Sequence, residues 1–110
     1  MEYAKEQNNQ LVKSFKDVEA VASASLNFTR LFGTEVKIRR TAVGLRQDEL
    51  AEIAQSYGTQ VSQSYISRLE GGQRSDPGIA LVVVLAAILD ISLDHIILLA
   101  QGDLHAIANE

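Results

Sequence analysis

Gln47-Asp48-Glu49-Leu50-Ala51 is followed, after ten intervening residues, by Ser62-Gln63-Ser64-Tyr65-Ile66-Ser67-Arg68-Leu69-Glu70-Gly71-Gly72. The second stretch decides the fold. Ser62 is a good helix N-cap, because its hydroxyl can accept from a free amide of the first turn. Val61 before it and Ile66 after it supply a hydrophobic staple. Gly71-Gly72 breaks the helix. Over residues 62–70, Ile66 and Leu69 then point inward, while Gln63, Ser64, Ser67 and Arg68 share the opposite face. All four form hydrogen bonds and none is acidic. Glutamine pairs bidentately with adenine and arginine with guanine, whereas serine is less selective. The solvated side of an ordinary surface helix would look the same, so the flanking segments must decide.

Upstream, Arg46 to about Tyr57 reads as a helix with Leu50, Ile53, Ala54 and Tyr57 inward, closed by Gly58 and a Thr59-Gln60-Val61 turn. Residues 30–43 form the helix before it. Phe32, Val36, Arg40 and Val43 recur on one face, and Gly44 ends it as a C′ residue. An arginine on an apolar stripe is anomalous. Glu70 is anomalous too: four residues after Ile66, it points partly inward, and a buried carboxylate needs a partner. An Arg40–Glu70 pair resolves both; two separate solvent-reaching side chains are the alternative. Leu11, Phe15, Val18 and Ala22 predict a further helix over about 10–24, behind a frayed start. Downstream, Asp76 caps a helix that opens at Pro77 and runs to Leu89. It is apolar nearly all round, so a strand over Leu81–Leu85 competes, but length and the Asp-Pro start favour helix. Ser92 caps a last helix, 93–100, with Ile91 and Ile96 as staple and Gly102 as its end. The expected fold is all-α.

A chain of 110 residues with 46% apolar and 22% charged residues has the composition of one globular domain. The absence of cysteine excludes disulfides and thiolate metal sites. Two histidines ten residues apart, His95 and His105, do not make a metal site, so neither metal nor cofactor is expected. Residues 1–7 lack an apolar signal core. The longest apolar run, Ile79–Leu89, is far short of the ~18–20 residues of a membrane span. A cytoplasmic protein without a membrane partner is expected. Net charge is −4, yet residues 30–74 hold seven Lys/Arg against five acids. After Arg74 only acids follow. That asymmetry suits one face for a polyanion.

The quoted stretches, with Val36, Arg40, Gly44-Leu45-Arg46, Asp76-Pro77 and Ile91-Ser92-Leu93-Asp94, resemble the Cro/repressor-type helix-turn-helix domain, the phage lambda repressor-like or XRE family. The resemblance spans residues 32–97. It implies a five-helix domain, here within 31–110, behind an N-terminal helical extension over 1–30. It also implies a sequence-specific transcription regulator bound to double-stranded DNA. Gln63, Ser64, Ser67 and Arg68 would face bases. Arg46, Gln47, Ser62, Tyr65, Gln73 and Arg74 would follow the DNA backbone, and Arg40–Glu70 would be the family's internal salt bridge. Two features depart from the pattern. Arg46 stands where the family usually has a Ser, Thr or Asn cap, and a cation there opposes the helix dipole. The interval between Ala51 and Ile66 is longer than usual, which bears on the angle of the recognition helix.

The two C-terminal helices carry more aliphatic surface than so small a domain buries, which marks an interface. Val84, Ile88, Ile96, Ile97 and Leu99 are the candidates for a C2 homodimer on a pseudo-palindromic operator. With no separate effector domain, repression is the simpler mode. An enzyme is not supported: there is no Gly-rich phosphate loop and no evident catalytic pair. The competing function is a protein-interaction module, such as an antitoxin facing its toxin or a regulator's antagonist. RNA binding ranks lower, because few aromatics are available for stacking.

Overall fold

The computed structural model describes residues 18–73 and 77–101, with side chains from residue 26 onward. Five α-helices make up the described chain: α1 Val18–Ala42, α2 Gln47–Ser56, α3 Gln63–Glu70, α4 Ile79–Leu89 and α5 Leu93–Ala100. The all-α expectation holds. Residues 10–17 of the expected N-terminal helix, the Asp76 cap, Arg74 and Gly102 lie outside the described residues.

The sequence predicted a break between residues 24 and 30, but α1 runs through it as one 25-residue helix. No Gly or Pro interrupts Ser25-Leu26-Asn27-Phe28-Thr29. Thr29, only 5% exposed, carries the inward stripe across the polar interval. Phe28 stacks on Phe32, one turn on, with ring centroids 6.0 Å apart. The helix closes as expected at Gly44: its amide donates to the Thr41 carbonyl, and the Leu45 amide to that of Arg40. Val43 was expected inward; it lies in this closing turn, past the last helical residue, and is 63% exposed.

Phe32, Val36, Leu50, Ile66, Leu69 and Leu85 are fully buried and join all five helices with Ala54, Val61, Leu89, Ile91 and Ile96. Helix α1 packs on α3, α4 and α5, while α2 packs on α3 and α4. Tyr57 is no part of this core. It is the C-cap of α2, turned outward and 67% exposed.

The start of α4 also differs from expectation. Gly78, at φ +77, is the N-cap, and Ile79 is the first helical residue. A left-handed turn at 78 sets Pro77 ahead of the helix rather than in its first turn. The strand alternative over Leu81–Leu85 is excluded, since all five residues are helical. Ser92 caps α5 by accepting from the His95 amide at 3.3 Å, with Ile91 and Ile96 both buried beneath. No helix among the described residues is long and apolar enough to cross a membrane.

Candidate nucleic-acid interface

Helix α3 forms as its sequence dictates. The Ser62 hydroxyl accepts from the Tyr65 amide at 3.0 Å. Ile66 and Leu69 are buried, and Ser62, Gln63, Ser64, Ser67 and Arg68 are exposed. The structure thus gathers the four expected base-facing residues on one open face. At the exit, Gly72 takes φ +74, a left-handed conformation that suits glycine. Its amide donates to the Leu69 carbonyl, and that of Gln73 to Arg68. Gln73 is exposed just past this turn.

The longer interval after Ala51 is taken up by two elements: α2 extends to Ser56, and residues 57–62 form the turn. That turn is tied down. Gly58, at φ +94, lets the chain reverse, and the Thr59 hydroxyl donates to the Ala54 carbonyl at 2.7 Å. The Gln55 amide donates to the Val61 carbonyl at 2.6 Å. Val61 itself is buried.

The expected Arg40–Glu70 pair is present and bidentate, with Nε–Oε2 at 2.7 Å and Nη2–Oε1 at 2.8 Å. The side chains are only 10% and 3% exposed. Arg40 Nη1 also donates to the Leu45 carbonyl at 2.8 Å, so the guanidinium is well satisfied. Its hydrogen bonds to Glu70, opposed by burial and aided by the carboxylate's charge, hold Arg40 above its ordinary pKa. Removing one partner of so buried a pair typically costs ~3–5 kcal/mol, chiefly because the other charge is stranded.

The pair extends outward. Gln47 Nε2 donates to Glu70 Oε1 at 3.1 Å, and Gln63 Nε2 donates to Gln47 Oε1 at 2.9 Å. Arg40, Glu70, Gln47 and Gln63 therefore form one hydrogen-bonded chain from the core to the open face. Each link sets the next amide's orientation. Gln63 is left presenting its carbonyl oxygen and one free N–H, the donor–acceptor set that an adenine edge matches. The Arg40–Glu70 pair was legible in the sequence, as were Gln47 and Gln63 singly, but the hydrogen bonds that join the two glutamines to the pair were not.

Arg46 is the N-cap of α2, and its backbone amide donates to Glu49 Oε1 at 2.9 Å. A guanidinium has no lone pair to offer the helix amides, so this is half a capping box. The Arg46 side chain turns instead to Asp48, at 3.1 Å, and Glu49, at 3.6 Å. Those carboxylates favour the helix N-terminus and offset the cation that opposes it. The hydrogen bond from Arg46, more than its charge, pulls the Asp48 carboxyl below its ordinary pKa. Arg40, Arg46, Gln47, Asp48 and Gln63 line an open polar hollow of about 520 Å³ beside α3.

Tyr65 departs from its expected place at the groove edge. Its phenolic oxygen is buried, and the ring packs on the core over a cleft formed with Thr59, Gln60, Val61, Pro77 and Leu81. The hydroxyl is therefore not offered to a phosphate. Gly33 was not among the expected functional residues. A Cβ there would lie 2.0 Å from the Leu69 carbonyl oxygen, so α1 and α3 meet backbone to backbone. A glycine inside a strong helical pattern was the available signal.

Tyr57, Val83, Val84, Ala87 and Ile88 line an apolar groove of about 180 Å³. Ile97 and Leu99 are exposed, as an interface requires, and so is Leu98. Ile96 is not: at 3% exposure it belongs to the core, because the staple with Ile91 turns it inward.

A protein-family model described as helix-turn-helix matches residues 36–96, from the middle of α1 into α5. No match is found among curated proteins, nor among solved structures.

Proposed function

Since the chain belongs to the XRE/lambda repressor-like helix-turn-helix family, a family of DNA-binding transcription regulators, we propose that it is a repressor that binds a pseudo-palindromic operator as a homodimer. The observation that carries this reading is the chain from Arg40 through Glu70 and Gln47 to Gln63. A solvated surface helix has no use for a glutamine whose amide is oriented from the core. A helix that reads base edges does, because a preorganised amide loses less freedom on pairing. Ser64, Ser67 and Arg68 complete the reading face. Gln47, Ser62, Gln73 and the backbone amides at the start of α2 serve the flanking phosphates. Arg46 serves there by exchanging Asp48 for a phosphate.

The homodimer reading is supported by the apolar groove at Tyr57, Val83, Val84, Ala87 and Ile88 and by exposed Ile97, Leu98 and Leu99. Two-fold symmetry would set two copies of α3 on half-sites ~34 Å apart. The same apolar surface keeps a second reading open, a protein partner such as a toxin or an antagonist. Selection from a random pool of DNA duplexes tests the proposal. Enrichment of an inverted repeat, bound by the native protein and lost with Gln63→Ala/Arg68→Ala, is expected. A folded protein that enriches no sequence refutes it and favours the protein partner.

A further inference from the structure

We propose that Arg30, on the part of α1 that precedes the family-matched residues, contacts a DNA phosphate beside the exit of the recognition helix. The proposal rests on the DNA-binding reading above and adds to it a contact from outside the helix-turn-helix.

The placement follows from the backbone contact at Gly33. There α1 touches the Leu69 carbonyl at the end of α3. One turn earlier on α1 is Arg30, and three residues later on the other strand of chain is Gly72. The two are neighbours: a Cβ on Gly72 would lie 3.8 Å from Arg30 Cγ. The Arg30 stem thus lies against the glycine turn that ends the recognition helix, and the residue is exposed there. An arginine whose stem lies along protein while its head stays in water is well placed for a polyanion.

The charge pattern is consistent with the same residue. Among the described cations, Arg39 pairs with Glu35, Arg40 with Glu70, and Arg46 with Asp48 and Glu49. Arg30, Lys37 and Arg68 have no carboxylate within ion-pair distance among the described residues. Among the described residues, the one hydrogen bond from the Arg30 guanidinium goes to the neutral Asn27 side chain at 3.4 Å, which leaves four of its five donors without a partner there. Thr34, next on the stripe, folds its hydroxyl back onto the Arg30 carbonyl at 3.0 Å and does not compete. Arg30 and Arg68 thus bring two uncompensated guanidiniums to the same end of α3.

Arg39 provides a control within the same helix. Nine residues at ~100° each put it on the opposite side of α1 from Arg30. Arg30→Gln and Arg39→Gln change net charge equally, so only position separates them. The experiment is a salt titration of binding to a random-sequence duplex, and to the selected operator, for native protein, Arg30→Gln, Arg30→Lys and Arg39→Gln. Melting curves confirm that each variant is folded. Arg30→Gln should make the slope of log K against log salt shallower by about 0.9 per bound protomer, equally on both DNAs. Arg30→Lys should retain the native slope, and Arg39→Gln should not change it. Native binding with an unaltered Arg30→Gln slope overturns this proposal and leaves the DNA reading intact. Equal changes in Arg30→Gln and Arg39→Gln also overturn it, because net charge then explains the effect. If the native protein binds neither DNA at low salt, both readings fail together.

Discussion

Gly33→Ala separates packing from helix propensity by sign. Gly33 is interior to α1, where alanine is normally better by ~1 kcal/mol. Propensity alone therefore predicts a more stable protein. The structure predicts the reverse. The new Cβ would sit 2.0 Å from the Leu69 carbonyl oxygen and 2.9 Å from its carbon, whereas real Cβ contacts essentially never fall under 3.0 Å. Relief requires a retreat of at least about 1 Å by a backbone atom that is locked in a helix, not by a flexible side-chain tip. Overpacking of that kind costs ~1–3 kcal/mol, and a rigid neighbour puts this site at the top of the range. After the propensity gain, a net loss of about 2 kcal/mol remains, or a fall in Tm of about 8–16 °C for a domain of this size. Thermal melts followed by far-UV circular dichroism read it. Gly71→Ala is the matched control, because its nearest non-neighbour atom is 3.4 Å away and its φ is −84°. An unchanged or raised Tm in Gly33→Ala would refute the claim that α1 positions α3 by direct backbone contact.

Glu70→Ala strands the Arg40 guanidinium in a site where the pair is 10% and 3% exposed. It should cost ~3–5 kcal/mol in denaturant unfolding, against under half that for Glu35→Ala, whose carboxylate is 31% exposed in a pair within one helix. Gln63→Ala should leave unfolding unchanged and weaken operator binding by about 10- to 100-fold, as loss of one bidentate base contact predicts. Gln47→Ala should weaken it too, through the unanchored Gln63 amide. Asp48→Asn releases Arg46 and removes a negative charge from the hollow, so DNA affinity should rise a few-fold. Asp48 also contributes a pH effect of definite sign. Its folded pKa lies below the ordinary 3.8, so its stabilisation is complete above that value and is lost as pH falls through the lowered one. In Asp48→Asn, that part of the acid sensitivity should vanish from the unfolding profile. Leu99→Asp should dissociate a homodimer in sedimentation without unfolding it, whereas Ile96→Ala should lower Tm, because Ile96 is core.

The sequence disclosed most of what local chemistry decides. Ser62 and Ser92 cap helices because a hydroxyl before an apolar run has few other uses, and the glycines at 44, 58 and 72 stop helices for reasons any sequence shows. Arg40 and Glu70 were legible as a pair because each violated its own helix's periodicity. What stayed hidden was set by tertiary distance. Thr29 reads as a polar interruption, yet it is buried and carries α1 across the expected break. Tyr57 and Val43 fit a helical stripe but lie where each helix has already ended. Asp76-Pro77 looks like a helix start, and the left-handed Gly78 overrides it. Gly33 stands out in the sequence only as a glycine inside a helical pattern, and what it packs against appears only when α3 is laid against α1.

The same contacts bear on the long interval after Ala51. If the turn between α2 and α3 set the recognition helix, its extra residues would tilt that helix. Yet both ends of α3 are held by other means. Its C-terminal end is fixed to α1 twice, by the Gly33–Leu69 backbone contact and by the Arg40–Glu70 pair. Its N-terminal end is fixed by Val61, which is buried and accepts from Gln55, and by the Gln63–Gln47 hydrogen bond. The residues between, Tyr57, Gly58 and Gln60, are exposed. Lengthening a surface turn costs little, because closure entropy grows only as the logarithm of length. The orientation of α3 is therefore a property of α1 and of the polar chain that ends at Gln63. Shortening the turn within 57–60 while keeping Thr59 and Val61 should leave operator preference unchanged, whereas Gly33→Ala should degrade it. The opposite outcome would place control of the recognition helix in the turn.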